Sequence, residues 1–374
     1  MKYHCFACGK EYSIEAKIFR CTCGGFLVVE GQKPFPLEEL NRRDSTIWRY
    51  KGAFGLPEDV NPVSLGEGLT PLIKRWVDRV PVFLKLDFLQ PTGSFKDRGA
   101  SVILSLVKYI GVTSVVEDSS GNAGAAVSAY SAAAGVKCTV FVPSYTPDEK
   151  LIQIKMYGAD VVKVPGKRQD ANDAAIKASE NLYYSSHLWN PYFAMGFQSA
   201  AFEIWEELGR EVPSMAVVPI ASGGLLEGIY QGFRSLYLWG YTKKIPKIVG
   251  VQAERCSPIH TAFEQGLNDF AEIDAQITVA EGIAVQKPPR AKAVLAAIRD
   301  TAGFTISVSE DEIISATWLL FSMGIYVEPT SASTLAGWMK IDQHERENAV
   351  LVLTGNGLKE TAKLGKIFAN RISN

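Results

Sequence analysis

From about Val82 onward, apolar residues fall in short dense runs that alternate with longer Ala-rich stretches. VFLKL (82–86), SVVED (114–118), CTVFVP (138–143), DVVKVP (160–165), MAVVPI (215–220), KIVGVQ (247–252) and AVLVLT (349–354) are the predicted strands. Several are continuously apolar, the pattern of strands covered on both faces. AGAAVSAYSAAAG (123–135) and SAAFEIWEELG (199–209) are amphipathic and predict helices. Strand–helix alternation predicts an α/β protein with parallel sheets of the doubly wound kind.

Composition narrows the class. A chain of 374 residues exceeds what one core usually supports, so two or three domains are expected. Hydrophobic residues at 47% and charged residues at 21% supply a globular core. A formal net charge of -1 offers no basic field, so no nucleic-acid partner is expected. The start, MKYHCFACGK, has no apolar signal segment, and no run of about 18 apolar residues occurs. The expectation is a cytoplasmic protein with no membrane partner and with reduced thiols.

The first 30 residues stand apart. Cys5, Cys8, Cys21 and Cys23 form C-x2-C and C-x-C pairs. Four thiolates suit a tetrahedral zinc ion, and the glycines after Cys23 free backbone N–H groups to point at sulfur. An unmetallated ribbon or a disulfide is the other reading. Cys138 and Cys256 read as small core residues. The stretch from Lys33 to Arg43 reads as a connector.

Three glycine-rich turns follow strands. SSGNAG (119–124) opens a helix whose free N–H groups can hold an anion. ASGGLLEG (221–228) repeats the arrangement, with Ser222, Gly223 and Gly224 forming a phosphate cradle. Neither turn is a Walker A loop or the dinucleotide fingerprint, which disfavours nucleotide triphosphates and NAD. TGNGLK (354–359) places Thr354 at the carboxyl end of a strand, where open α/β sheets hold ligands. Each turn read alone is also a plain strand–helix connection.

PTGSFKDRG (91–99), SSGNAG, the later glycine loop and TGNGLK, in this order, resemble the β-family of pyridoxal-phosphate enzymes, fold type II. The resemblance covers roughly residues 60–365. Within that family the chain is similar to the threonine synthase group through GEGLTPL (66–72), NPY and GFQSAAFEIWEELG (190–209), EPTSAST (328–334), LTGNGLK and the cysteine ribbon. The resemblance implies two open, twisted, mostly parallel sheets preceded by a small zinc-ribbon-like segment. Its expected divisions are a ribbon over 1–32, a large α/β domain from 33–80 plus 191–374, and a small α/β domain over 81–190.

The resemblance also implies roles. Lys96 would form the Schiff base with the cofactor aldehyde, beside the apolar Phe95; read alone, Lys96 is a helix-start lysine. Asn122 would bond the phenolic oxygen of the ring. Ser119, Ser120, Gly121, Asn122 and Ala123 would hold the substrate carboxylate. Ala221, Ser222, Gly223, Gly224 and Leu225 would bind the cofactor phosphate, and Thr354 would face the pyridine nitrogen. The implied reaction is O-phosphohomoserine plus water giving L-threonine and phosphate, by a homodimer acting on a small amino acid. Lys155 and Arg98 are candidates for the substrate phosphate.

Two segments depart from that group. ASGGLLEG and TVAEGIAV (278–285) resemble serine/threonine dehydratases. A dehydratase, or an O-phosphoserine β-replacement enzyme such as a cysteate synthase, is therefore the alternative. The rival class is a zinc-ribbon binding protein with a scaffold attached. No chemistry is assigned to His4, His187, His260 or His344, and Glu206 and Glu207 read as a solvated helix face.

Overall fold

The computed structural model describes residues 2–42 and 44–372. Arg43, the last residue of the expected connector, lies outside them. Thirteen strands are described: β1 (Lys2–Cys5), β2 (Glu11–Ser13), β3 (Leu27–Val29), β4 (Leu72–Val77), β5 (Val80–Lys85), β6 (Ser114–Glu117), β7 (Lys137–Pro143), β8 (Asp160–Val164), β9 (Tyr183–Tyr184), β10 (Met215–Pro219), β11 (Lys247–Ala253), β12 (Phe304–Val308) and β13 (Ala349–Val352). The helices that carry the argument are α1 (Lys96–Tyr109), α2 (Asn122–Ala134), α3 (Asp148–Met156), α4 (Arg168–Ala178), α5 (Pro191–Glu207) and α6 (Gly224–Leu238).

The chain divides into two compact units. Unit one gathers the residues up to Leu69, Gln90–Thr92 and Lys96–Ser199. Unit two gathers Thr70–Leu89, Gly93–Phe95 and the chain from Ala200 on. These bounds differ from the expected ones. Residues up to Leu69 join the smaller sheet's unit, whereas β5 joins the larger sheet, because β5 pairs with β13 in parallel and with β4 in a hairpin.

Unit one holds an antiparallel sheet ordered β2-β1-β3 and a parallel sheet ordered β8-β7-β6-β9. α1 is fixed in it by a buried polar hub. Glu67, of GEGLTPL, has no exposed surface. Its carboxylate accepts from Trp48 Nε1 (3.0 Å), Ser101 Oγ (2.6 Å) and Tyr130 OH (2.9 Å). Ser101 lies on α1 and Tyr130 on α2, so one acid ties the two helices together.

Unit two holds a six-stranded sheet ordered β12-β11-β10-β13-β5-β4. Every pairing is parallel except β4 with β5. The central strands β10 and β13 are buried at every residue, as continuous apolar runs require. A fully buried lysine ties β5 to α5: Lys85 Nζ meets Glu203 at 2.8 Å and Glu207 at 2.5 Å. Glu207 is thus part of an ion cluster rather than a purely solvated face.

Candidate active site

In unit one, Lys96 begins α1 and is half-buried. The turn before it is held by Asp97, which is fully buried and accepts from Thr92 N at 2.6 Å and from the Thr92 hydroxyl. Lys96 Nζ stands 5.7 Å from the centre of the Phe197 ring. Burial depresses its ammonium to about 8, against an opposing attraction from Glu117. A lysine so placed reaches its neutral, nucleophilic form near physiological pH.

The SSGNAG turn links β6 to α2 in the same unit. Gly121 N donates to Ser119 Oγ at 3.3 Å. A side chain on Gly124 would put Cβ 1.9 Å from the Ser119 carbonyl oxygen, so only glycine lets the turn fold this tightly. Ser119, Ser120 and Asn122 remain partly accessible at the head of a 13-residue helix, a position that favours an anion.

In unit two, Ala221–Leu225 runs from β10 into α6. Gly223 has φ 98°, and a Cβ there would meet Val294 Cγ2 at 2.3 Å. Buried beneath, Glu227 of α6 accepts from Arg290 at 2.7 Å. Thr354 is buried, and its carbonyl accepts from Phe95 N at 3.0 Å, which brings two of the expected cofactor residues together. Ser331 orders this turn: its hydroxyl oxygen accepts from Thr354 N (2.9 Å) and Gly355 N (2.8 Å) and lies 3.2 Å from Thr354 Oγ1. The neighbouring Ser94 hydroxyl is buried without a hydrogen-bond partner among the described residues.

Each unit taken by itself carries a feature that suits a phosphorylated aldehyde cofactor: a half-buried lysine with a depressed pKa in unit one, and a glycine cradle at the head of a helix in unit two. The family model "Pyridoxal-phosphate dependent enzyme" matches residues 63–355. The chain belongs to this family. Among its relatives, a protein named threonine synthase from Methanocaldococcus jannaschii is 35% identical over 96% of this chain and 93% of its own length. Another of that name, from Methanosarcina acetivorans, is 34% identical over 96% of this chain and 92% of its own length. A solved T.th. threonine deaminase matches with a TM-score of 0.67 and 26% identity, over 77% of this chain and 92% of that one. A threonine deaminase from Solanum lycopersicum, at 20% identity and a TM-score of 0.69, shows the same fold over 95% of this chain and 94% of that one.

Arg98 is fully buried and donates to Ser199 Oγ at 2.9 Å, and Lys155 is exposed and paired with Asp148 at 3.0 Å. Sequence reasoning missed Ser331, although it lies within the quoted EPTSAST, because its partners are 23 and 24 residues away. It also assigned no chemistry to His187, whose Nδ1 lies 2.6 Å from Glu117 Oε1.

The four ribbon sulfurs lie within 4.8 Å of one another. Cys5–Cys23 and Cys8–Cys21 are 3.5 and 3.6 Å apart. A zinc tetrahedron with Zn–S of about 2.3 Å has sulfur–sulfur edges of about 3.8 Å. A disulfide needs about 2.05 Å, so these distances suit a metal and not a covalent bond. The knuckles are closed by Gly9 N and Gly24 N, which donate to the Cys5 and Cys21 carbonyls at 2.9 Å each. The N–H of Cys23 and the Tyr12 hydroxyl, aimed at its sulfur, pull the Cys21 thiol down to about 6.

Proposed function

We propose that the protein is a threonine synthase that converts O-phosphohomoserine and water to L-threonine and phosphate, a carbon–oxygen lyase in class. The observation that carries this reading is the 35% identity to a protein of that name over 96% of this chain. By the same resemblance the enzyme would work as a homodimer in the cytoplasm.

Pyridoxal phosphate, once bound, supplies the electron sink for carbanions at the substrate. Lys96 would hold its aldehyde, Phe95 its apolar flank, and Asn122 its phenolic oxygen. Ala221, Ser222, Gly223, Gly224 and Leu225 would grip its phosphate through backbone N–H groups. The Thr354 hydroxyl, fixed by Ser331, would face the ring nitrogen without holding it fully protonated, which suits elimination better than transamination. Ser119, Ser120, Gly121, Asn122 and Ala123 would orient the substrate carboxylate. Lys96, as a free amine, would take the proton from Cα and then from Cβ. Phosphate would leave from Cγ, which then takes back one proton; water would add its hydroxyl at Cβ, its proton going to the phosphate; and the second proton would return to Cα. Cys5, Cys8, Cys21 and Cys23 would hold a structural zinc ion, which metal analysis of the purified protein tests directly.

The second reading, a serine/threonine dehydratase, is favoured by ASGGLLEG, by TVAEGIAV and by the likeness to the threonine deaminase at 26% identity. Parallel incubations with O-phosphohomoserine and with L-threonine alone separate the two. One phosphate released for each threonine formed is the expected result. Production of 2-oxobutanoate from threonine, with no phosphate released from the phosphoester, would replace the first reading by the second.

A further inference from the structure

A buried ion pair lies beside the glycine turn of unit two, and the reading above gives it no role. Glu227 sits in the first turn of α6, and its N–H donates to the Gly223 carbonyl at 2.9 Å. Its carboxylate accepts from Arg290 Nη1 at 2.7 Å. The Glu227 and Arg290 side chains are 7% and 2% exposed. Arg290 also starts the helix Ala291–Asp300, where Val294 N donates to its carbonyl at 3.0 Å. A Cβ on Gly223 would stand 3.4 Å from Arg290 Cβ as well as against Val294, so the turn rests on the first residues of that helix. Arg290 thus faces the turn through its Cβ and holds the acid of α6 through its guanidinium.

An acid in the first turn of a helix gains from the partial positive charge at the amino end. An anion held by the N–H groups of the turn draws on the same charge. The two would therefore compete. Gly223 and Glu227 are one helical turn apart, about 6 Å of rise. At such a separation an unmatched carboxylate weakens the binding of a dianion about tenfold, even at the dielectric of water. Arg290 supplies the match. Stability is a weak reason for such a pair, since replacing a buried ion pair by apolar residues is often neutral or stabilising.

We propose that Arg290 is a positioning residue for the phosphate turn: by neutralising Glu227 it keeps the amino end of α6 open to a doubly charged phosphate ester. This inference rests on the reading of Ala221–Leu225 as the turn that grips the cofactor phosphate. It adds to that reading two charged residues outside the turn, which act on the phosphate with opposite signs.

The readout is the preference of the full chain for pyridoxal phosphate over pyridoxal, the ratio of their dissociation constants in absorbance titrations. Ring and aldehyde are common to both, so the ratio reports the phosphate. Arg290→Met should lower the preference about tenfold or more. Glu227→Gln should raise it, because the Arg290 charge is then released from this acid. Arg290→Met combined with Glu227→Leu removes both charges and should return the preference close to the parent value. A pair that merely braces the turn gives another pattern, in which both single variants lower the preference. That pattern, or a preference unchanged in both, would overturn the proposal. So would a double variant that stays as low as Arg290→Met. Should Arg290→Met not fold, Glu227→Gln decides: a rise supports the proposal, and a fall or no change overturns it. A parent chain that binds both aldehydes equally would remove the phosphate reading of the turn and the proposal with it. A parent that prefers pyridoxal phosphate by the same factor as its variants would overturn the proposal alone and leave that reading standing.

Discussion

Ser331→Ala isolates the support beneath Thr354. The Ser331 hydroxyl is fully buried and accepts from two backbone N–H groups, Thr354 N at 2.9 Å and Gly355 N at 2.8 Å. It donates onward to the Gly355 carbonyl at 3.1 Å. Alanine keeps the volume close but leaves both N–H groups buried and unpaired. Each such donor costs about 1–3 kcal/mol, and partial relaxation makes the sum about 3 kcal/mol. For a unit of this size that corresponds to a fall in melting temperature of about 6–12 °C. Ser333→Ala, on the same helix (Pro329–Met339), is the control. Its hydroxyl is equally buried but only donates to the Thr330 carbonyl at 2.7 Å, so its removal should cost about 1 kcal/mol. Differential scanning calorimetry of both variants, with and without pyridoxal phosphate, gives the comparison. Ser331→Ala should also weaken cofactor uptake, because Thr354 loses the group that orients it. A Ser331→Ala loss no larger than that of Ser333→Ala would refute the reasoning.

Three further outcomes follow from the geometry. Gly223→Ala forces a Cβ to 2.3 Å from Val294 at φ 98°, so cofactor affinity measured by absorbance titration should drop at least about tenfold while the fold persists. Lys85→Met removes the cation beside the fully buried Glu203, and its urea midpoint should report a loss of about 3–5 kcal/mol, largely recovered by adding Glu203→Leu. The rate of pyridoxal-phosphate uptake requires a neutral Lys96, so it should rise about tenfold per pH unit below about 8 and level off above it; a flat profile in stopped-flow absorbance would point to another residue.

The parts of the fold that were legible share one physical trait. Parallel strands covered on both faces must be continuously apolar, and MAVVPI and AVLVLT are buried throughout their strand residues. β4 was not legible, because it lies at the sheet edge and carries Lys74 and Arg75. Its hairpin turn also lacks a glycine signal, since Asp78 and Arg79 supply the positive φ angles of 50° and 66° themselves. β9 has two residues, too few for any periodicity. For the site, glycine turns and the PTGSFKDRG lysine are local signals and could be read directly. The His187–Glu117 contact spans 70 residues of chain, and no local pattern announces it. Glu207 looked solvated for the same reason, since its partner Lys85 is 122 residues away.

The central claim is that Lys96 holds the cofactor, and covalent mapping tests it most directly. The purified chain is loaded with pyridoxal phosphate, reduced with borohydride, digested, and its peptides are read by mass spectrometry. The account predicts one phosphopyridoxyl group, on Lys96, and a Lys96→Ala chain that stays colourless and unlabelled. Label on a different lysine, or a Lys96→Ala chain that still takes up the cofactor covalently, would contradict it.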